Sequence, residues 1–287
     1  MNRVEARIRQ NFAGLTKTNR QIAEFMLGDL QSLAFENAAS IARKVGTTPM
    51  TVGRFLRALG YQGIDALHTD LRSGLQADNQ PIAERFASRA DGHGDGLPYL
   101  ECLEFEKEAL TRLYEMTTRA VWNRIVEEVA EAETVAVVGQ VTLEGIAAVL
   151  TSRLHYLRPD VRHVTGHDGM FLDIFDRPDR RNCLILLDDR RYAKSTTRLL
   201  KLARESNVKV VLITDEYCLW AQEHTDLWLS LPTKGPAFWP TLSTFGSFVS
   251  LLLNAVMAHV EHRNEGGIAD RMKQIGKLQE RFDLFEG

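Results

Sequence analysis

Apolar residues between positions 37 and 60 recur at helical spacing on both sides of Gly46. The stretch reads NAASIARKVGTTPMTVGRFLRALG, and its apolar side chains fall on one face of each of two short helices. These side chains are Ile41, Ala42, Val45, Val52, Phe55 and Leu59. Because two such faces can close on each other, the pattern predicts a pair of packed helices joined by a tight turn.

The turn between the two helices is marked by residues with special backbone preferences. Gly46 follows the last apolar position of the first helix, where a residue without Cβ ends a helix at little cost. Thr48 is expected to be the N-cap of the second helix, with Pro49 at the first helical position, where its missing N–H costs nothing. The sequence therefore predicts a helix-turn-helix.

The side chains on the open face of this motif are candidate contacts to DNA. In DNA-binding domains of this kind, the N-terminal part of the second helix enters the major groove. Arginine can form two hydrogen bonds with guanine there, and threonine can contact a base or a phosphate. The candidates are Lys44, Thr47, Thr48, Met50, Thr51, Arg54 and Arg57. The motif alone leaves open an ordinary helical hairpin in a protein core.

Two further amphipathic segments complete a predicted helical domain over residues 1–77. Residues 15–30 place Thr18 and Gln21 at capping-box spacing, and residues 64–75 repeat leucine at every fourth position. A domain of this size can fold alone.

The residues that follow have a different character. Residues 78–97 are rich in Asp, Gly and small residues and are predicted to form a linker. Residues 100–132 return to helical spacing, and the hydrophobic period then changes again.

Short apolar runs alternate with helical patterns beyond residue 132, which is typical of a parallel sheet covered on both faces. The runs are Thr134–Gly139, Val161–Thr165, Cys183–Asp188, Lys209–Thr214 and Leu227–Pro232. The predicted fold class is α + α/β, an all-α helix-turn-helix domain followed by a doubly wound five-stranded parallel sheet. The second domain is placed at 98–262, and a helical tail at 263–287. Ligands of such sheets bind at the carboxyl ends of the strands.

Charge is distributed unevenly along a chain of ordinary composition. The 287 residues are 44% apolar, and the net charge is -3. Residues 1–77 hold ten Lys or Arg against six Asp or Glu, a balance of +4, whereas residues 78–287 hold 25 against 32, a balance of -7. Only the N-terminal part therefore suits a polyanion.

Cysteine usage and hydropathy indicate a cytoplasmic protein that does not enter a membrane. The three cysteines show neither paired nor metal-ligand spacing, and the polar start of the chain is unlike a signal peptide. The longest apolar run, Phe245–Ala258, is too short to span a bilayer and is interrupted by polar residues. It is expected to be a buried helix.

The stretch GTTPMTVGRFLRALGYQG, residues 46–63, resembles the pattern G-(V/T)-S-x-x-T-V-x-R-F-x-x-x-L-G-(F/Y)-x-G of the RpiR family of bacterial transcription regulators. The matching residues are Gly46, Thr51, Val52, Arg54, Phe55, Leu59, Gly60, Tyr61 and Gly63. The second half is similar to a sugar isomerase (SIS) domain in its order of elements. The resemblance implies a homodimer or homotetramer that binds a palindromic operator in double-stranded DNA and responds to a phosphorylated sugar or related metabolite.

The ligand loops depart from the family's pattern. Family members usually carry G-x-G-x-S after the first strand and S-x-S-G-x-T after the third, whereas this chain reads GQVTL at 139–143 and DDRRYA at 188–193. The usual loops hold a phosphate with hydroxyl and N–H groups. Two aspartates would repel that dianion, and two arginines would attract it.

The candidate effector-binding residues lie in these loops and in the helix that follows the second one. They are Gly139, Gln140, Thr142, Asp188, Arg190, Arg191 and Ser195. Ser195 is also a candidate N-cap. Three hypotheses remain open: a phosphate held by the arginines, a different effector such as a nucleotide or an organic acid, or no effector.

The sequence favours a regulator without enzymatic activity, cofactor or metal. A rival interpretation is a sugar-phosphate isomerase with Glu144 or His167 as general base, although neither lies in a supporting motif. His163, His167 and Asp168 are close in sequence, but their spacing is loose for a metal site.

Overall fold

The computed structural model describes residues 3–28, 33, 36–78, 82–83, 86, 99–166, 171–175, 179–190, 192–218, 220–263 and 267–283. The chain divides into two units, Met1–Leu97 and Pro98–Gly287. The predicted linker at 78–97 falls mostly outside the described residues.

The N-terminal unit is helical. Its elements are α1 (Arg3–Asn11), a 3-10 turn (Phe12–Gly14), α2 (Lys17–Gly28), α3 (Ala38–Val45), α4 (Pro49–Ala58) and α5 (Ile64–Asp78). Side chains from all five helices form one core, and Ile22, Ile41, Phe55 and Leu67 are fully buried in it. The predicted pairing of α3 with α4 is confirmed, because their apolar faces meet in this core.

The start of α2 differs from the prediction. The helix begins at Lys17, and the Thr16 hydroxyl accepts the Asn19 backbone N–H at 3.4 Å. Thr18 therefore lies inside the first turn and is not the cap. The stretch TKT offers two equivalent hydroxyls, which explains the error.

The helical pattern predicted over residues 100–132 corresponds to two helices, α6 (Tyr99–Met116) and α7 (Ala120–Glu131). The chain leaves α6 at Thr117 and Thr118, whose hydroxyls donate to the carbonyls of Tyr114 and Glu115 at 2.7 Å each. These bonds turn the backbone out of the helix.

A five-stranded sheet forms the centre of the second unit. Its strands are β1 (Thr134–Gly139), β2 (Val161–His163), β3 (Asn182–Leu187), β4 (Lys209–Asp215) and β5 (Leu227–Leu231). All four pairings are parallel, and the order is β2-β1-β3-β4-β5. This order confirms the predicted doubly wound fold, and it places the switch point between β1 and β3.

Helices cover both faces of the sheet. The elements between and after the strands are a 3-10 turn (Val141–Leu143), α8 (Glu144–Leu157), α9 (Leu172–Phe175), α10 (Lys194–Glu205), α11 (Ala221–His224) and α12 (Ser243–His262). One face packs against α6, α7, α8 and α12, and the other against α9, α10 and α11. The three inner strands β1, β3 and β4 are buried on both faces, which explains their nearly unbroken apolar sequences.

Helix α12 contains the apolar run that the sequence places in the protein interior. It is long and apolar enough to cross a membrane by length and composition alone, a test that core helices also pass. Its side chains Phe245, Phe248, Leu252 and Val256 are fully buried in the core beneath the sheet.

The tail contains one further helix, α13 (Gly267–Arg281). The Arg271 guanidinium donates to the carbonyls of His155, Tyr156 and Arg158 at the carboxyl end of α8. These carbonyls have no partner within their own helix, so Arg271 fixes α13 at a natural cation site.

Candidate DNA-binding surface and effector site

The turn between α3 and α4 has the geometry that its sequence predicts. Gly46 is in the left-handed region at φ +72°, and its N–H donates to the Ala42 carbonyl. The Thr48 side chain accepts the Thr51 N–H at 3.2 Å, and the two hydroxyls are 2.8 Å apart. Pro49 is the first residue of α4. Both helix ends are therefore capped locally, which fixes the start of α4.

The face of α4 opposite the core is open to solvent. Val52, Phe55 and Leu56 are buried, whereas Arg54 and Arg57 are exposed and Met50 is 65% exposed. Of the other candidate DNA contacts, Thr48 and Lys44 are exposed, and Thr47 and Thr51 are half-buried. All seven belong to one continuous stretch around the turn.

Lys44 has a partner within the chain that the sequence analysis did not anticipate. Its ammonium group donates to the carboxylate of Glu36, which is 8% exposed. Burial acts to raise the pKa of Glu36, but the hydrogen bonds from Lys44 and Ser40 and the charges of Lys44 and Arg43 hold it below its ordinary value. Arg43 is a further exposed cation beside Lys44. Its position in the basic last turn of α3 would have allowed its prediction.

The candidate effector site lies where β1 and β3 end side by side. The Gln140 N–H donates to the Leu187 carbonyl at 2.9 Å, so the loops after the two strands begin next to each other. Gly139 allows the first loop to turn sharply, because a Cβ there would lie 2.2 Å from the Leu143 carbonyl oxygen. The close packing of this loop therefore explains the glycine at position 139 without a bound ligand.

The two positions at which this loop departs from the family pattern have different surroundings. Val141 replaces the second glycine yet keeps a positive φ of 51°, and its side chain is 79% exposed. Leu143 replaces the serine and is fully buried in the core. The hydroxyl that the pattern provides is thus absent, and Thr142 is exposed beside it.

Asp188, the first residue after β3, is only 2% exposed. Its carboxylate accepts the Ala193 N–H at 3.1 Å and the Thr196 hydroxyl. Burial, together with the charges of Asp189 and Asp215, raises the pKa of Asp188 to about 7 against the lowering effect of these two hydrogen bonds. Asp188 is therefore part of the protein interior and holds the start of α10.

Ser195 does not have the predicted N-cap position. Ala193 is the N-cap residue of α10, and Asp188 provides the accepting oxygen in place of a local side chain. The Ser195 hydroxyl instead donates to the Gln140 Oε1 at 3.1 Å and links the first loop to α10. The prediction failed because the capping group comes from a residue five positions earlier in the chain.

Arg190 is directed into the protein rather than presented at the surface. Its backbone N–H donates to Asp215 Oδ2 at 2.8 Å, its Nε lies 3.5 Å from the same oxygen, and its guanidinium stacks 3.9 Å from the Tyr217 ring centre. Asp215 also accepts the Tyr192 hydroxyl at 2.6 Å. Arg191 lies outside the described residues.

Acidic groups dominate this edge of the sheet. Burial and the charge of Asp215 raise the pKa of Asp189 to about 6, and the same two causes raise the pKa of Glu216 to about 7. Sequence reasoning missed Asp215 and Glu216, although Asp215 ends β4 and Glu216 follows it at the same carboxyl edge. Nearby, the Tyr192 and Trp220 rings meet edge to face at 5.3 Å.

The residues considered for other chemistry lie on other elements of this unit or outside the described residues. Glu144 is exposed at the first position of α8. His163 is half-buried at the end of β2. His167 and Asp168 are outside the described residues. Within the described part of the chain, no group of three or more His, Cys, Asp or Glu residues could hold a metal ion.

Comparison with known proteins agrees with both halves of the structure. Residues 2–78 match the helix-turn-helix domain of the rpiR family, and residues 128–255 match the SIS domain. The two matches together span most of the chain.

Individual relatives are distant. The HTH-type transcriptional regulator HexR of Escherichia coli (strain K12) is 22% identical over 292 residues, covering 99% of this chain and 96% of that protein. The bifunctional protein glk of Burkholderia mallei (strain ATCC 23344) is 38% identical over 69 residues, covering 24% of this chain and 11% of that protein. The sugar isomerase domain of the RpiR transcription factor from Sphaerobacter thermophilus superposes with a TM-score of 0.54 at 20% identity, covering 63% of this chain and 98% of that chain.

The N-terminal match coincides with the capped helix-turn-helix, and the second match coincides with the parallel sheet and its switch point. The chain therefore belongs to the rpiR family of helix-turn-helix transcription regulators and carries a SIS domain after its N-terminal domain.

Proposed function

We propose that this protein is a cytoplasmic regulator that binds a palindromic operator as a homodimer or homotetramer and is controlled by a small sugar-derived metabolite. The observation that carries the proposal is the open face of α4, where Arg54 and Arg57 are exposed on a helix with a fixed start. A two-fold symmetric dimer would place two such helices on half-sites one or two DNA turns apart.

The distribution of charge supports DNA binding by the N-terminal unit rather than by the second unit. The N-terminal residues 1–77 carry a balance of +4 and the remainder a balance of -7. A polyanion is therefore attracted to the helix-turn-helix and repelled by the rest of the chain.

The effector is proposed to bind at the carboxyl ends of β1 and β3. Parallel sheets of this type bind ligands at the switch point, and membership of the SIS family implies a sugar phosphate there. Because the loops depart from the family's pattern, the proposal does not specify whether the effector carries a negative charge.

Enzymatic activity is not part of the proposal. An isomerase needs a positioned general base beside the sugar. Glu144 is exposed, and no described residue orients it through a hydrogen bond. Turnover of aldose and ketose phosphates without operator binding would reverse the assignment.

Replacing Arg54 with alanine tests the DNA-binding surface. The operator is first selected from random or genomic DNA, and affinity is then measured by fluorescence anisotropy. Arg54→Ala should cost about 1–3 kcal/mol on the operator if the side chain contacts a base edge. A loss that is equal on all sequences would instead identify a phosphate contact.

Arg153→Ala is the matched control, because Arg153 is an exposed arginine on α8 in the other unit. It should leave operator affinity unchanged. If Arg54→Ala and Arg57→Ala both bind the operator as tightly as this control, α4 is not the DNA-reading helix.

A further inference from the structure

Two hydrogen-bond donors at the start of α10 point to a carboxyl group of the same chain. The Ala193 N–H and the Thr196 hydroxyl both donate to Asp188 Oδ2. The N-terminus of a helix is the end that attracts anions, and α10 is 12 residues long. The position at which a ligand anion would accept hydrogen bonds is therefore already occupied by a carboxyl oxygen that the protein itself supplies.

The other hydroxyls of this turn are also engaged within the chain. Ser195 donates to Gln140 Oε1 at 3.1 Å, and Thr197 donates to the Lys194 carbonyl at 3.2 Å. In the family pattern, hydroxyls of this loop and helix hold the ligand phosphate. Here they have no proton left to donate to one.

Arg190, the cation of this loop that lies within the described residues, is engaged as well. The Arg190 guanidinium lies against Asp215 and stacks on Tyr217, and the Arg190 side chain is 11% exposed. To bind a phosphate, Arg190 would have to leave a buried carboxylate that would then lose its nearest positive charge. Breaking such a pair is costly.

The balance of charge opposes a dianion. Four acidic residues lie at the carboxyl ends of β3 and β4: Asp188, Asp189, Asp215 and Glu216. Their mutual repulsion contributes to the raised pKa values of Asp188, Asp189 and Glu216. A phosphate placed among them would meet the same repulsion with twice the charge.

A neutral donor remains for a ligand. Gln140 is only 8% exposed, and its Nε2 has no hydrogen-bond partner among the described residues. Its Oε1 is fixed by Ser195, so the amide stands at the start of α10. A buried amide without a partner costs free energy, and a sugar hydroxyl or carbonyl oxygen can accept its proton.

We propose that Asp188 takes the place of the ligand phosphate at the N-terminus of α10, so that this SIS domain binds the uncharged, hydroxyl-bearing form of a sugar rather than its phosphate ester. Asp188 is then the residue that determines the charge of the ligand. The inference rests on the proposed sensing role of this site.

The test uses the full-length chain, with inorganic phosphate and glucose 6-phosphate as probes in calorimetric titrations. Asp188→Ser restores the residue of the family pattern, and Asp188→Ala removes the carboxylate in a second way. Asp188→Asn is the matched control, because its amide oxygen can still accept from Ala193 and Thr196. Circular dichroism and melting temperature establish that each variant is folded.

The wild-type chain should show no saturable binding of either probe, and Asp188→Asn, which removes the charge but keeps the acceptor oxygen, should gain less affinity than the serine and alanine variants. Asp188→Ser or Asp188→Ala should bind glucose 6-phosphate saturably, at least about tenfold more tightly than the limit that the wild-type titration sets, the equivalent of one charge-assisted hydrogen bond. Saturable binding by the wild type would overturn the proposal, and so would folded serine and alanine variants that gain nothing.

A second readout on the wild type does not depend on any variant. The amide resonance of Ala193 should stay in place when millimolar phosphate is added, because its proton is donated to Asp188. A saturating shift of that resonance would contradict the inference. Operator binding by the wild type, measured in the same series, separates a failure of this inference from a failure of the proposed function.

Discussion

Val141 has a backbone conformation that its side chain disfavours. Positive φ is uncommon for residues with a Cβ and most strained for β-branched ones. Because the side chain is 79% exposed, it gains little packing in return. Val141→Gly should therefore raise the free energy of unfolding by about 1 kcal/mol, as the relief of strain exceeds the entropic cost of glycine. Urea denaturation checks the value.

Val141→Ala is the control for lost side-chain contacts. Alanine removes the same exposed methyl groups but keeps the Cβ that causes most of the strain. Its unfolding midpoint should stay closer to the wild type. Equal stabilisation by both variants would attribute the effect to the side chain and not to the backbone.

Asp188 makes the stability of the second unit depend on pH. Its raised pKa, about 7, means that the folded chain binds this proton more tightly than the unfolded chain does. The free energy of unfolding should therefore fall as the pH rises from about 4 to above 7. Asp189 and Glu216, whose pKa values are also raised, act in the same direction.

Asp188→Asn should reduce this dependence, since the amide does not titrate and can accept the same two hydrogen bonds. The measurement is the urea midpoint at pH 5 and pH 8. Glu127→Gln, which removes an exposed carboxyl group on α7, should keep the full difference of the wild type. If the urea midpoint of Asp188→Asn changes between pH 5 and pH 8 as much as that of the wild type, Asp188 is not the group that causes the pH dependence.

The stability of the N-terminus of α4 depends on a single N-cap side chain. The Thr48 side chain accepts the Thr51 N–H, and its loss leaves that donor without a local partner. Thr48→Ala should cost roughly 1 kcal/mol of stability. It should also weaken operator binding, because the first turn of α4 carries Met50 and Thr51. Thermal denaturation and anisotropy measure the two effects.

Thr47→Ala is a suitable comparison for stability, because Thr47 precedes the cap and its backbone N–H, which donates to Ala42, is retained. Its melting temperature should be closer to that of the wild type than the melting temperature of Thr48→Ala is. A larger loss of stability at position 47 than at 48 would show that the cap is not what fixes α4.

Elements that rest on local pattern were predicted well, and side-chain contacts between a helix and the loop before it were not. Gly46, Thr48 and Pro49 act within a few residues of themselves, and β1 was predicted with its observed bounds. The capping of α10 by Asp188 and the pairing of Lys44 with Glu36 join separate segments, so no spacing rule reveals them.

The uneven distribution of charge along the chain predicts how DNA binding responds to salt. The logarithm of the operator affinity should fall linearly with the logarithm of salt concentration, with a slope of about -0.9 per phosphate contacted. Removing one arginine that contacts a phosphate should reduce the slope by about one. Titrations at several salt concentrations test this for Arg54→Ala and Arg57→Ala. A slope near zero would contradict electrostatic binding by the basic unit.

The edge-to-face contact of Trp220 with Tyr192 provides the candidate effector site with an intrinsic optical probe. The Tyr192 hydroxyl donates to Asp215, so any rearrangement of the loops after β3 and β4 changes the surroundings of the Trp220 indole. Because the chain holds only four tryptophans, Trp220→Phe isolates the emission of that residue by difference. Events at the carboxyl edge of the sheet can thus be followed by fluorescence in the unlabelled protein.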